Sequence, residues 1–477
     1  MTVSSNPNPS GYLADDPSFP ALLIVGALFI GGFFGYLNDT LLNVALPTFM
    51  AAFHLNETQA QWLTSGFLLV MGAFTPITAN LIQWFTTRQA AFITFGNFAL
   101  GTLICLTAQN FPMLLLGRVI QAISAAITVP LLMTTIYAIY PPERRGTLMG
   151  LVAMVFSLAP TLGPTLSGLL LQYGHWRLLF ALPLLFIIAV LFVIHRKVRH
   201  NVMRVTRPPI DLPSALLSVL GFGALVYGAS QFRSLGGGEL LGIFTAALLF
   251  IALFVWRQLR LITPLLNLRA LENRQFRSAV IILALAFFMF LGLELLLPIY
   301  GQQVRQFTPL LTGLLLMPAS AAEGLLAPLL GRLLDRKGGK IVLRLGAYLL
   351  LLGALPLFYF VDMASNPWLM ALCFTIFAGG VACCITGETH GLNALDRSLT
   401  PHGTAIISTI NPIAGALGAS FFIGVMGLGE SLSGRETAAL RQLDGVHLAL
   451  ALTIGLSAVV FYFSRKIRNL PAGQRAH

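Results

Sequence analysis

The sequence predicts an all-α polytopic membrane protein, on three observations. Of the 477 residues, 56% are hydrophobic and only 10% are charged, whereas soluble domains carry about 25% charged residues. The mean hydropathy is +0.82. Apolar runs of about twenty or more residues recur along the whole chain, and each can cross roughly 30 Å of hydrocarbon as a helix. The strands of a membrane barrel would instead appear as alternating segments of about ten residues.

Fourteen of these runs are predicted to be transmembrane helices. They cover about 21–49, 58–83, 89–108, 111–138, 146–172, 177–194, 212–232, 239–258, 278–303, 308–331, 341–361, 367–390, 403–427 and 446–464. The four cysteines all lie inside apolar runs, at positions 105, 373, 383 and 384. We therefore expect buried cysteines, with neither a disulfide framework nor a metal site.

The net charge of +12 fits an oriented membrane protein better than a nucleic-acid-binding one. If the N-terminus is cytoplasmic, 23 of the 29 Lys and Arg residues fall in cytoplasmic segments and 5 in external loops. The remaining one, Arg118, lies inside a span. Cytoplasmic loops of membrane proteins carry this excess of basic residues. We expect both termini in the cytoplasm and no nucleic-acid partner.

Two connectors indicate that the chain contains two related halves. QWFTTRQAAFI (83–93) follows span 2, and GRLLDRKGGKIVL (331–343) follows span 10. Both are short and basic, and each follows a proline-containing helix, so span 10 is expected to repeat span 2. The alternative is that any short cytoplasmic loop attracts basic residues. Internal repeats of this kind are typical of secondary transporters, which bind substrate near the midplane between the repeats.

The repeat predicts two six-helix bundles plus two inserted helices. The predicted divisions are a cytoplasmic tail (1–20), the N-terminal bundle (21–194), a connector with the two extra helices (195–277), the C-terminal bundle (278–464) and a second cytoplasmic tail (465–477). Within the connector, residues 257–277 alternate basic residues with leucine. This pattern is typical of an amphipathic segment at the cytoplasmic surface.

Four acidic residues lie inside predicted spans: Asp39, Glu294, Glu323 and Glu388. Burying a charge there costs at least roughly 2.5–3.5 kcal/mol, so each is a candidate for function. The alternative is a polar contact between helices. Glu323 lies among small residues that leave room for a ligand or water, whereas Glu388 is close enough to the cytoplasmic end to reach water.

Asp39 is the strongest of these candidates. It lies about 16 Å from the predicted external end of its span, and Arg118 lies about 10 Å from that surface, so the two charges can pair. Glu294 occupies nearly the same place in span 9 as Asp39 does in span 1, so repeated halves would set the two carboxylates on opposite sides of a central cavity. Asn43 is one turn from Asp39 and can bond to that carboxylate or to a substrate.

Several motifs resemble those of the major facilitator superfamily. GRLLDRKGG resembles the cytoplasmic loop motif, with Gly331, Asp335 and Arg336 in place, although the first-half copy has Asn80 and Gln83 instead. LLLGRVIQ resembles the fourth-helix motif that carries the intramembrane arginine. APTLGPTLSG resembles the antiporter motif, through Gly163, Pro164 and Gly168. The resemblance implies that Gly331 allows close helix approach and that Asp335 caps a helix or pairs with basic residues.

Other stretches resemble the fourteen-spanner drug:proton antiporters, and among them the lincomycin-resistance exporters. The stretches are DTLLNVALP, QWLTSGFLLVMG, PPERRGTLMG and GLNALDRSLTPHGTAIISTINPIAGALGAS. The resemblance implies a proton-driven exporter of lipophilic or weakly basic compounds, lincosamides among them, in a bacterial inner membrane. It also implies a monomer without cofactors. In this reading Asp39 and Glu294 alternately hold proton and substrate, while Arg118 biases release.

Two other classes of function are weighed against the exporter. A proton-coupled carrier of a metabolite or siderophore, or a lipid flippase, would share the fold and differ in its cavity. An intramembrane enzyme or receptor fits poorly, since Glu388 and His390 point to different helix faces and lack a third metal ligand. The sequence has no G-x-x-x-x-G-K-[ST] loop, so we expect no nucleotide partner.

Overall fold

The apolar runs of the sequence form long helices in the computed structural model of the protein. The structure describes residues 20–140, 148, 159, 162–198, 205, 211–231, 235–261, 264–396 and 399–468. Over these residues the regular secondary structure is helical, with no strand. The all-α class is therefore confirmed. Helices suit a membrane because a backbone in hydrocarbon must satisfy its hydrogen bonds within its own segment.

Fourteen helices, numbered here in chain order, form the body of the described chain. They are Ala21–Phe53 (α1), Trp62–Ile82 (α2), Thr87–Leu106 (α3), Phe111–Ile139 (α4), 162–173 (α5), Leu178–Lys197 (α6), Leu212–Ser230 (α7), Gly237–Arg260 (α8), Arg274–Ile299 (α9), Pro309–Lys337 (α10), Gly339–Phe360 (α11), Pro367–Asn393 (α12), Thr400–Leu432 (α13) and Ala438–Lys466 (α14). A π-helical turn, Tyr300–Val304, continues α9.

Twelve helices of the described chain are long and apolar enough to cross a membrane. The sequence predicts fourteen spans, and the exact count is not confirmed. The two predicted spans without a counterpart among the twelve are those at α2 and α5. A 21-residue helix does occupy the first of these positions. Much of the predicted span 146–172 lies outside the described residues.

Polar residues in the loops fix where several helices begin. Asn110, Thr308 and Asn366 each accept a hydrogen bond from a backbone N–H in the first turn of α4, α10 and α12. Pro309 and Pro367 follow two of these caps at the first helical position, where the missing N–H is not needed. Each such cap contributes typically ~1 kcal/mol. The short loops keep consecutive helices antiparallel.

The helices form two groups that meet along several helix pairs. In the first group α1 packs against α4 and α6, and in the second α9 packs against α12, α13 and α14. The groups meet where α1 contacts α9 and where α2 contacts α13. Helix α7 lies against both α2 and α13, and α8 packs on α7. The two inserted helices therefore attach to one side of the junction.

A bidentate ion pair joins the two inserted helices. Arg257, in the last turn of α8, donates from Nη2 to Asp211 Oδ1 at 2.8 Å and from Nε to Asp211 Oδ2 at 3.1 Å. Ser214 also donates to Asp211 and accepts a hydrogen bond from Gln258 at 2.6 Å. This network connects the start of α7 to the end of α8.

The predicted amphipathic segment 257–277 differs from a separate surface helix. It contains the end of α8, a short 3₁₀-helix at Leu268–Glu272 and the start of α9. Leu266 and Ala270 are buried against Phe276 and Ile406. The apolar residues of the segment therefore pack on the bundle.

The four cysteines are free and buried, as predicted. They pack within apolar helix contacts, which explains their position in the sequence without a redox or ligand role. A group of three or more His, Cys, Asp or Glu side chains that could hold a metal is not found among the described residues.

Candidate functional site between the two helix groups

An ion pair between α1 and α4 lies at the centre of the candidate site. Arg118 Nη2 donates to Asp39 Oδ1 at 2.8 Å. The Arg118 side chain has no exposed surface, whereas the Asp39 side chain is 21% exposed. A fully buried cation is thus paired with a carboxylate that is partly exposed.

Arg118 is held by neutral groups as well as by Asp39. Its Nε donates to the Leu63 carbonyl at 3.0 Å. Its Nη1 donates to Asn38 Oδ1 and to Gln121 Oε1, both at 3.1 Å. With the bond to Asp39, four of the five guanidinium N–H donors are engaged. The guanidinium is therefore fixed in position before any ligand binds.

Neighbouring side chains and a close approach of α3 to α4 also surround the Arg118 guanidinium group. The Arg118 Cζ atom lies 4.0 Å from the centre of the Phe67 ring, a cation–π arrangement with α2. Gln121 in turn donates to Thr102 Oγ1 at 2.8 Å. A Cβ atom on Gly117 would lie 2.7 Å from the Gly101 carbonyl, so two glycines let α3 approach α4 closely here.

The second helix group supplies two further carboxylates. Glu294 on α9 is only 5% exposed. The Asn43 amide lies within hydrogen-bonding reach of Glu294, and Glu323 and Asp39 lie close enough for their charges to interact with it. Asn43 also accepts a hydrogen bond from Thr64 at 3.4 Å. Of the five side chains that the sequence selects for coupling and binding, Asp39 and Arg118 are thus in direct contact, and Asn43, Glu294 and Glu323 lie around the same junction.

Glu388 does not take part in this cluster. It lies in the last turns of α12, two residues before His390. The charges that act on Glu294 are those of Asp39 and Glu323.

The antiporter motif lies where α5 meets α1 and α10. A Cβ atom on Gly163 would lie 2.2 Å from Thr40 Oγ1, next to Asp39 on α1. A Cβ atom on Gly168 would lie 2.5 Å from the Pro309 carbonyl oxygen at the start of α10. From the other side, a Cβ atom on Gly313 would lie 2.2 Å from the Pro164 carbonyl oxygen. The motif therefore makes a backbone contact between the two helix groups.

The loop motif between α10 and α11 differs from the expectation that Gly331 allows close helix approach. Gly331 has open space where a Cβ atom would stand, so the expected close approach is absent at that residue. Close approach occurs instead at Gly339, whose Cβ atom would lie 2.2 Å from His390 Cγ. Gly338 adopts φ 82°, which favours glycine. Arg336 is exposed, and the Asp335 side chain lies outside the described residues.

Three members of the site escape prediction as functional residues: Gln121, Thr102 and Phe67. Neutral polar residues and phenylalanine are ordinary in membrane helices, so none of them is conspicuous. The one available signal is spacing, because Gln121 is three residues after Arg118 and therefore on the same helix face.

Fold and site together define a class of protein: a multi-pass membrane transporter, with charged side chains buried where two groups of spanning helices meet. Residues 28–419 match the family described as the Major Facilitator Superfamily. The chain belongs to that superfamily. It is a transporter rather than an enzyme.

The chain is similar to several characterised and uncharacterised transporters. It is 36% identical over 461 residues to the uncharacterized MFS-type transporter YcnB of Bacillus subtilis, covering 96% of this chain and 98% of that protein. It is 34% identical over 446 residues to the lincomycin resistance protein LmrB of Listeria monocytogenes, covering 92% and 93%.

Solved structures share the fold. A bacterial homolog of the human lysosomal transporter Spinster, in an inward-facing and occupied conformation, matches with a TM-score of 0.66 and 14% identity. The match covers 93% of this chain and 96% of that one.

Proposed function

We propose that the protein is a proton-coupled multidrug exporter that exchanges protons for lipophilic or weakly basic compounds. The observation that carries the proposal is the Asp39–Arg118 pair, in which the carboxylate is partly exposed and the cation is fully buried. A proton carrier needs a carboxylate that solvent reaches and whose charge state matters to the protein around it. Asp39 meets both requirements.

Protonation of Asp39 would change the contact between α1 and α4. The neutral carboxyl group no longer forms an ion pair, whereas Arg118 keeps its bonds to Leu63, Asn38 and Gln121. When the proton leaves again, the Asp39 carboxylate can pair with a cationic or polar substrate in place of Arg118. Glu294, across the junction, can hold the substrate or a second proton. Such exchange drives transport if proton and substrate differ in their affinity for the two conformations.

Hydrogen bonds join the two helix groups at one end, and that end determines the side from which substrate can enter this conformation. Gln302 donates to the Val44 carbonyl at 2.9 Å, and Ser420 donates to Gln61 at 3.0 Å. With both termini in the cytoplasm, as the charge bias predicts, these bonds lie towards the outside. The conformation is then one closed outwards, and it would take up substrate from the cytoplasm.

Lincosamides are the first substrates to test, because the relative in Listeria monocytogenes bears the name lincomycin resistance protein. We expect inverted membrane vesicles with an acidic interior to accumulate lincomycin. Asp39→Asn should reduce this gradient-driven accumulation at least about tenfold, a loss of ~1.4 kcal/mol of coupling. The measurement is uptake with and without the pH gradient.

Asp444→Asn is the matched control, because Asp444 also pairs with an arginine but lies in the second turn of α14, before the predicted span 446–464. It should accumulate drug like the wild type. Unimpaired uptake by Asp39→Asn, or uptake that ignores the gradient, would contradict proton coupling. If the protein accumulates no drug but moves a metabolite or a lipid when the pH gradient is present, a metabolite carrier or lipid flippase would be favoured.

A further inference from the structure

A small cavity lies between α11 and α14, away from the candidate site. Its volume is about 200 Å³, and it is lined by Arg344, Tyr348, Phe461 and Arg465. Arg344 lies in the second turn of α11 and Arg465 in the last turn of α14. Both arginines therefore lie at the same end of the molecule.

Within the described residues, the two arginines lack an anionic partner. Arg344 Nε is buried and without a hydrogen-bond acceptor, and Nη2 makes only a long contact of 3.4 Å with the Arg465 carbonyl. Neither arginine belongs to an ion pair within the described part of the chain. Residues 469–477 contain no Asp or Glu. A buried donor without an acceptor is costly, so a ligand that supplies an acceptor to Arg344 Nε would be stabilised here.

The aromatic side chains place this cavity at a membrane surface. The Tyr348 and Phe461 rings meet edge to face at 5.1 Å, and Arg465 lies over Phe461 at 4.8 Å. Tyr348 and Tyr462 are 56% and 58% exposed on the outer face of the helices. Leu352, one turn further along α11, is equally exposed at 56%. The cavity thus has a basic inner wall and continues onto an apolar exterior.

We propose that this cavity binds the headgroup phosphate of an anionic phospholipid. Two guanidinium groups match the geometry of a phosphate, since each can donate two parallel N–H bonds. A volume of about 200 Å³ suits a headgroup and is small for a drug-sized ligand, which needs roughly 300–1,000 Å³. Acyl chains would lie along the exposed leucines and tyrosines.

The bound lipid would join α11 to α14 within the second helix group. Basic pockets between helices on the cytoplasmic side suit anionic lipids, which are enriched in that leaflet. The basic cluster belongs to the end predicted to be cytoplasmic. Lys340 and Lys466, one turn or less from the arginines in sequence, add positive charge.

Native mass spectrometry of the full-length protein in detergent tests the proposal. We expect the wild type to retain added phosphatidylglycerol, but not zwitterionic phosphatidylcholine. Arg344→Gln and Arg465→Gln should each weaken phosphatidylglycerol binding at least about tenfold. Arg465 is exposed, so its substitution leaves the fold intact even if Arg344→Gln does not fold.

Arg260→Gln is the matched control. Arg260 also stacks on an aromatic ring in the last turn of a helix, 4.6 Å from the Trp256 ring centre, but it does not line the cavity. It should bind phosphatidylglycerol like the wild type. Equal retention of both lipids, or unchanged binding by Arg465→Gln, would overturn the proposal. So would inorganic phosphate displacing the lipid at equal concentration, because a soluble anion would then be the ligand.

Discussion

At the scale of single residues, the geometry of Arg118 matters as much as its charge. Four N–H bonds from one planar group reach Asp39, Asn38, Gln121 and the Leu63 carbonyl. A lysine ammonium keeps the charge but has three donors on one atom, and it cannot reproduce the fork. Arg118→Lys therefore leaves at least one buried acceptor unpaired.

We predict that Arg118→Lys lowers the free energy of unfolding by about 2 kcal/mol, the cost of a buried polar group without its partner. Thermal unfolding of the purified protein, followed by tryptophan fluorescence, measures the change. Arg196→Lys is the control, because Arg196 stacks on Phe192 at 5.1 Å near the exposed end of α6. A stability of Arg118→Lys equal to that of Arg196→Lys would show that charge alone is needed.

The sequence predicts the charged members of the site and misses the neutral ones for a physical reason. Asp39 and Arg118 stand out because each interrupts an apolar run. Gln121 and Thr102 do not stand out, since uncharged polar side chains are cheap enough to serve as ordinary helix contacts. The distance between α1 and α4 also cannot be predicted from the residues of either helix alone. One sequence does not reveal which faces of two distant helices meet.

At the scale of elements, the junction of α7 with α8 depends on the Asp211–Arg257 pair. Its bidentate geometry favours a measurable coupling, although both side chains are partly exposed and such pairs contribute only about 0.2–1 kcal/mol. We predict a coupling energy near 1 kcal/mol from a double-mutant cycle of Asp211→Asn and Arg257→Gln. The Asp444–Arg435 pair, with a 3.1 Å contact and a 55% exposed arginine, should give a coupling near zero.

The same pair gives this junction a defined pH dependence. Burial opposes ionisation of Asp211, but hydrogen bonds from Arg257 and Ser214 outweigh it and hold the pKa of Asp211 below its ordinary value. A carboxyl group with a lowered folded-state pKa stabilises the protein above its unfolded pKa. The coupling should therefore be constant at neutral pH, begin to fall as the pH drops through the unfolded pKa of about 4, and disappear only below the lowered folded-state pKa. A coupling that stays constant as the pH is lowered until the carboxyl groups of the unfolded and folded protein are both protonated would exclude Asp211 as its source.

Helix positions are predictable from the sequence, whereas the details of their junctions are not. Hydrophobic length and loop caps suffice to locate most helices. The bilayer sets the length of a spanning helix, and a capping residue marks where the helix begins. The loop between α10 and α11 shows the limit of motif reasoning. Gly331 matches the motif, yet the close contact belongs to Gly339. Which glycine faces a neighbour depends on helix rotation, which packing decides.

At the scale of the whole molecule, the two helix groups close on each other at one end through backbone contacts. Gly168 and Gly313 leave no room for a methyl group between α5 and α10. Side chains add hydrogen bonds at the same end, from Gln302 to α1 and from Ser420 to α2. Because transport requires this end to open, the close contact must be reversible. Its tightness then sets the balance between the closed and open conformations.

We predict that Gly313→Ala shifts this balance towards the open conformation. The added Cβ atom would lie 2.2 Å from the Pro164 carbonyl oxygen, and overpacking of this kind costs typically 1–3 kcal/mol. Spin labels at Tyr173 and Met363, which are 76% and 45% exposed at the closed end of the two groups, report the change as a longer distance. Gly96→Ala is the control, because its Cβ atom would meet open space. An unchanged distance distribution in Gly313→Ala would show that this helix contact does not govern closure.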